Sequence, residues 1–103
     1  MIPYGKHHID EDDIQAVVDV LRSGILTQGP AVDAFENAVA TYVGAKYAVG
    51  VSSGTAALHL AALVAGIGPG TTLITSPITF VASANSGLYA GGQIAFADID
   101  PGT

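Results

Sequence analysis

Tyr47-Ala48-Val49-Gly50-Val51-Ser52-Ser53-Gly54-Thr55-Ala56-Ala57-Leu58-His59 is the stretch on which the fold turns. Residues 47–51 are short, β-branched and apolar, the pattern of a buried strand. Ser52-Ser53-Gly54 turns the chain. Residues 55–66 are apolar on nearly every side, which predicts a helix buried on most of its faces. Gly68-Pro69-Gly70 breaks that helix, and Thr72–Thr75 reads as a second strand. Residues 79–90 read as another buried helix ended by Gly91-Gly92, residues 93–97 as a third strand, and residues 98–102 as a loop. Strand, helix, strand, helix, strand marks an α/β fold with a mostly parallel sheet and helical crossovers.

Upstream the period changes. Ile14, Val17, Val18 and Leu21 fall at i, i+3, i+4 and i+7, one apolar stripe of a helix. Asp10 can cap its first amides, and Glu11, Asp12 and Asp13 sit where the helix dipole favours negative charge. Gly24 ends it as a left-handed residue. Gly24-Ile25-Leu26-Thr27-Gln28-Gly29-Pro30 is an extended link, with Pro30 suited to a first helical turn. Phe35, Ala38, Val39, Tyr42 and Val43 make a second apolar stripe, stopped by Gly44. Two amphipathic helices therefore precede the sheet. Three strands leave an open apolar edge, a liability for a free protein, so the expectation is a chain that is part of something longer.

Composition narrows the function. The chain has 103 residues, half of them apolar and 12% charged, too hydrophobic for disorder. Its net charge is −6, and Lys6, Arg22 and Lys46 are its only Lys or Arg residues. No basic stripe exists for a nucleic-acid backbone, and no polybasic patch for a membrane surface. Without cysteine there is neither a disulfide framework nor a thiolate metal site. The first residues lack the charged and apolar regions of a signal peptide, and residues 56–67 are too short to span a bilayer. A cytoplasmic protein is expected.

The chemistry-bearing candidates follow from the strand-to-helix order. Helix N-termini expose unpaired amides and partial positive charge, and glycine lets an anion approach the backbone. Gly54, Thr55 and Ala56 could thus hold a phosphate. Small polar turns also arise for capping or packing, and the residues alone leave both readings open. The turn is neither a P-loop nor a spaced three-glycine dinucleotide motif. Phe80 follows the second strand, and loops at the carboxyl ends of parallel strands line one edge. It could stack on a planar ring bound near Gly54, or it could be a core residue. His7 and His8 point to opposite sides of an extended segment, and His59 reads as a core histidine, so no metal site is assigned.

Four blocks resemble the DegT/DnrJ/StrS aminotransferases in order and spacing: residues 26–30, 47–59, 75–85 and 96–100. The resemblance covers essentially the whole chain. Within that family the likeness is nearest to members that aminate C4 of a UDP-linked 4-keto sugar on the route to pseudaminic acid. It implies the N-terminal part of a fold type I (aspartate aminotransferase-like) large domain, working as a homodimer with pyridoxal 5'-phosphate. It also implies an arm, helix and linker over residues 1–30 and the first part of the cofactor domain over residues 31–103. By position, Gly54, Thr55 and Ala56 match the turn that holds the cofactor phosphate, and Phe80 matches the aromatic stacked on the pyridine ring. Tyr4, Gly24, Ile25, Leu26, Thr27 and Gly54 match positions lining the sugar-nucleotide site. The implied partners are a nucleotide sugar and an amino-acid donor, glutamate.

The same resemblance places the Schiff-base lysine downstream of Thr103. Lys6 and Lys46 match neither its position nor its context, so the expectation is a chain without catalytic residues of its own and inactive in isolation. Two alternatives stay open on the residues: a small phosphate- or nucleotide-binding module, and a family member that dehydrates sugars rather than aminating them.

Overall fold

The computed structural model describes residues 5–100 and 102. It comprises α1 (Glu11–Arg22), α2 (Pro30–Val43), α3 (Gly54–Val64), β1 (Thr72–Thr75), α4 (Ala82–Tyr89) and β2 (Gln93–Phe96). The chain divides into two compact units, Met1–Gly50 and Val51–Thr103.

In the first unit both helices start and stop where the local chemistry dictates. The Asp10 carboxylate accepts from the Asp12 and Asp13 amides, each at 3.1 Å. Asp13 returns the favour to the Asp10 amide at 3.1 Å, completing a capping box. Acidic residues fill the first turn of α1 and Arg22 its last, as the helix dipole favours. Ser23 closes the helix by donating its hydroxyl to the Val20 carbonyl at 2.7 Å, and Gly24 follows at φ +79°. Helix α2 opens with Pro30 and closes at Gly44, left-handed at φ 68°. Its expected apolar stripe is largely exposed: Phe35, Tyr42 and Val43 face solvent, and Ala40 is the buried residue.

The second unit is a helix-covered pair of strands. β1 and β2 run parallel in the register Thr72↔Gln93 to Thr75↔Phe96. Crossover helix α4 packs on both strands and on α3. The close approach depends on Gly87: a Cβ there would come within 2.6 Å of Ile94 Cδ1 and 3.0 Å of Leu73 Cβ. Ala62 and Ala82 are buried, and the Ser86 hydroxyl donates to the Ser83 carbonyl at 2.8 Å. This is the expected α/β arrangement, an incomplete parallel sheet with a helical crossover.

Two expectations are corrected. Residues 47–51 form no strand: a strand exists through its ladder, and among the described residues none pairs with this segment. Helix α4 begins at Ala82 rather than at residue 79. Its N-cap Val81 offers no side-chain acceptor, and residues 76–81 are held instead as a loop.

Candidate functional site

The head of α3 leaves backbone amides without an acceptor among the described residues. Ser53 is its N-cap, extended at φ −166° and ψ 161°. The Ser53 hydroxyl accepts from the Ala56 amide at 3.1 Å, and its carbonyl accepts from the Ala57 amide at 3.0 Å. The amides of Gly54 and Thr55 lie in the first turn, where a helix has no acceptor to offer. No other described residue accepts from them. A Cβ added at Gly54 would meet nothing within 4 Å, so the approach to these amides is open. Neither packing nor a positive φ requires glycine at this position.

Of the three amides singled out from sequence, that of Ala56 is engaged by Ser53. Gly54 and Thr55 are the pair open to a ligand, with the Thr55 hydroxyl beside them. Sequence reading placed Ser53 in the turn without giving it a role. The signal was there, since a serine directly before an apolar helix is one of the preferred caps.

Phe80 lies in the loop between β1 and α4 and is 68% exposed, a surface ring rather than a core residue. Its loop is pinned at several points. The Ser76 hydroxyl accepts from the Ile78 amide at 3.2 Å, and the Phe80 carbonyl accepts from the Ser83 amide at 3.1 Å. The Thr79 and Ser83 hydroxyls lie 3.4 Å apart. An open groove of about 420 Å³ is lined by Leu58 of α3, Thr75 at the end of β1 and Ser83 of α4, among others. Leu58 stands one helical turn after Gly54, and Thr75 and Ser83 flank the Phe80 loop.

Gly24, Ile25, Leu26 and Thr27 form the link after α1, in the first unit, whereas Gly54 opens α3 in the second. The Ser23 hydroxyl accepts from the Ile25 amide at 3.4 Å. Leu26 shares an apolar groove of about 420 Å³ with Val17, Val20 and Leu21 of α1. Tyr4 lies outside the described residues. His59 meets Tyr89 edge-on at 5.5 Å between ring centroids. Among the described residues no group of three or more His, Cys, Asp or Glu side chains could hold a metal ion. No described helix is long and apolar enough to cross a membrane.

Residues 7–103 match the sequence profile of the DegT/DnrJ/EryC1/StrS aminotransferase family. The chain belongs to this family. Among its relatives, the spore coat polysaccharide biosynthesis protein SpsC of Bacillus subtilis is 49% identical over 102 residues, covering 99% of this chain and 26% of that protein. A Campylobacter jejuni UDP-4-amino-4,6-dideoxy-N-acetyl-beta-L-altrosamine transaminase is 46% identical over 99 residues, 96% of this chain and 26% of that one. A Streptococcus pneumoniae protein solved in its PLP form superposes with a TM-score of 0.88 at 35% identity, over 99% of this chain and 26% of its own. The chain thus spans about a quarter of the length of the curated relatives it matches. Its fold is the N-terminal part of the fold these family members share.

Lys46 Nζ sits 5.1 Å from the centroid of the Tyr47 ring, and residues 51–103 contain no lysine at all.

Proposed function

We propose that this chain supplies the phosphate turn and the ring-covering loop of a pyridoxal-phosphate-dependent aminotransferase for nucleotide-linked 4-keto sugars, within a protein of its relatives' length. The substrate is a UDP-linked 4-keto-6-deoxy-N-acetylhexosamine, aminated at C4 on the route to pseudaminic acid with glutamate as donor. The complete protein is a cytoplasmic homodimer. Residues 1–30 serve as arm, helix and linker, and residues 31–103 as the first part of the cofactor domain.

One observation carries the reading: the unshared amides of Gly54 and Thr55 at an open, electropositive helix end, in a chain of this family. These donors fit a phosphate, because neutral amides and a helix terminus stabilise an anion without needing a basic side chain. When bound, pyridoxal phosphate supplies the electron sink through which an amino group passes from donor to ketone.

The chain's own residues bind and orient. Gly54 and Thr55 donate their amides, and Thr55 its hydroxyl, to the phosphate. Ala56 stays under the Ser53 cap and keeps the first turn in shape. Phe80 covers one face of the pyridine ring and excludes water from it. Tyr4, Gly24, Ile25, Leu26 and Thr27 line the sugar-nucleotide side, with Gly54 at the border between substrate and cofactor. Neither Lys6 nor Lys46 serves as the catalytic lysine, so the 103-residue chain alone does not transaminate.

The test uses the complete protein, incubated with the UDP-linked 4-keto sugar and glutamate. The expected result is a 4-amino sugar by mass spectrometry, with one 2-oxoglutarate formed per sugar. A dehydrated sugar without 2-oxoglutarate would assign the protein to the dehydrating branch. Phosphate or nucleotide binding with no visible cofactor band would favour the binding-module reading.

A further inference from the structure

The ring of Phe80 is 68% exposed, so packing does not hold it. Hydrogen bonds of its own loop do, and Ser83 makes them on both sides of the ring. The Ser83 amide donates to the Phe80 carbonyl at 3.1 Å. The Ser83 hydroxyl lies 3.4 Å from that of Thr79, the residue directly before Phe80, and either hydroxyl can donate to the other. All these residues belong to the unit Val51–Thr103.

Ser83 can hold the loop because it is itself held. It lies in the first turn of α4, whose N-cap Val81 has no side chain to offer a free amide. The Phe80 carbonyl takes the Ser83 amide instead, so the end of the loop also closes the head of the helix. One turn on, the buried Ser86 hydroxyl donates to the Ser83 carbonyl at 2.8 Å. Ala82 is buried too, and Gly87 seats the helix against Leu73 and Ile94 of the strands. Direct contacts therefore lead from the sheet through α4 to Thr79 and Phe80. With the Phe80 carbonyl and the Thr79 side chain tethered, the backbone between them loses freedom. The direction of the ring is then left mainly to χ1, which has three staggered wells. A ring aimed in advance loses less freedom when it covers a flat ligand.

We propose that Ser83 is a positioning residue for Phe80: with Thr79 as its hydroxyl partner, it aims the ring that covers the pyridine of the bound cofactor. The proposal rests on the cofactor reading above. It requires a hydroxyl at both positions. Ser83→Thr keeps that group, Ser83→Ala removes it and leaves the amide bond, and Thr79→Val removes the partner while keeping its shape.

The experiment uses the complete protein. It measures pyridoxal-phosphate dissociation constants by visible absorbance and the setting of the bound ring by visible circular dichroism, with thermal melts of the cofactor-free forms alongside. Ser83→Ala and Thr79→Val are each expected to weaken binding roughly two- to fivefold, the lower half of the value of one neutral hydrogen bond, as a 3.4 Å separation implies. The double variant should lose no more than either single one, and Ser83→Thr should match the parent. Phe80→Leu should weaken binding by itself, and adding Ser83→Ala to it should cost nothing more, since the hydroxyl acts only through the ring. Cofactor-free melting temperatures should stay close to the parent's. Parent-like affinity and circular dichroism in Ser83→Ala or in Thr79→Val would overturn the proposal. So would an equal loss from Ser83→Ala with and without Phe80, the mark of a merely structural role. If Ser83→Ala fails to fold, Thr79→Val in both backgrounds decides alone. Failure of the underlying reading looks different: a parent that binds no cofactor, or a Phe80→Leu variant that binds it as tightly as the parent does.

Discussion

A threonine in the first turn of a helix can serve a bound phosphate twice, through its amide and through its hydroxyl. Thr55→Val keeps the amide and the shape of the side chain and removes only the second donor. In the complete protein this change should weaken cofactor binding roughly ten- to a hundredfold, the value of one hydrogen bond to a charged acceptor. Dialysis followed by visible absorbance measures it; unchanged retention would leave the backbone amides as sole donors. At this scale the sequence singles out Gly54, Thr55 and Phe80, and the structure leaves the first two amides without a described acceptor and the ring exposed. It is silent about Ser83. The partners of that residue lie in a loop whose path neither periodicity nor spacing encodes. The third amide the sequence singles out, that of Ala56, donates to the Ser53 hydroxyl in this structure.

Secondary-structure elements were legible where their ends are chemically marked. Asp10, Gly24, Pro30 and Gly44 each stand at the helix boundary that the sequence assigns them. Asp10→Ala removes the acceptor for two amides of α1 and should lower stability of the complete protein by about 1 kcal/mol, read from a denaturant titration. Residues 79–81 misled because the helical pattern continues backwards from α4 through residues with no cap, and the loop's own hydrogen bonds prevail there. Residues 47–51 misled for another reason: strand propensity describes side chains, whereas a strand needs a partner outside itself. Helix α4 gives the sharper stability test. Gly87→Ala drives a methyl into Ile94 and Leu73 and should cost about 1–3 kcal/mol by overpacking, lifting the helix from the sheet. A neutral effect would mean that the crossover packs more loosely than these distances say.

The described residues bury little of their surface. Ala40, Ala62 and Ala82 are the buried apolar residues among those described, whereas Tyr42 is 92% and Val64 90% exposed. Among the described residues no large side chain is fully buried. Small residues alone supply a small hydrophobic gain, and a domain of this length needs a substantial core to offset its conformational entropy. The 103-residue chain expressed by itself should therefore melt broadly, bind a hydrophobic dye such as ANS, and show no transaminase activity. A sharp two-state transition without dye binding would show that these faces need no cover. The central claim is local, however, and a crystal structure of the complete protein with pyridoxal phosphate tests it most directly. The expected result is a phosphate within hydrogen-bond distance of the Gly54 and Thr55 amides and the Phe80 ring lying flat against the pyridine. A phosphate held elsewhere, with the head of α3 bare or Phe80 turned away, would contradict it.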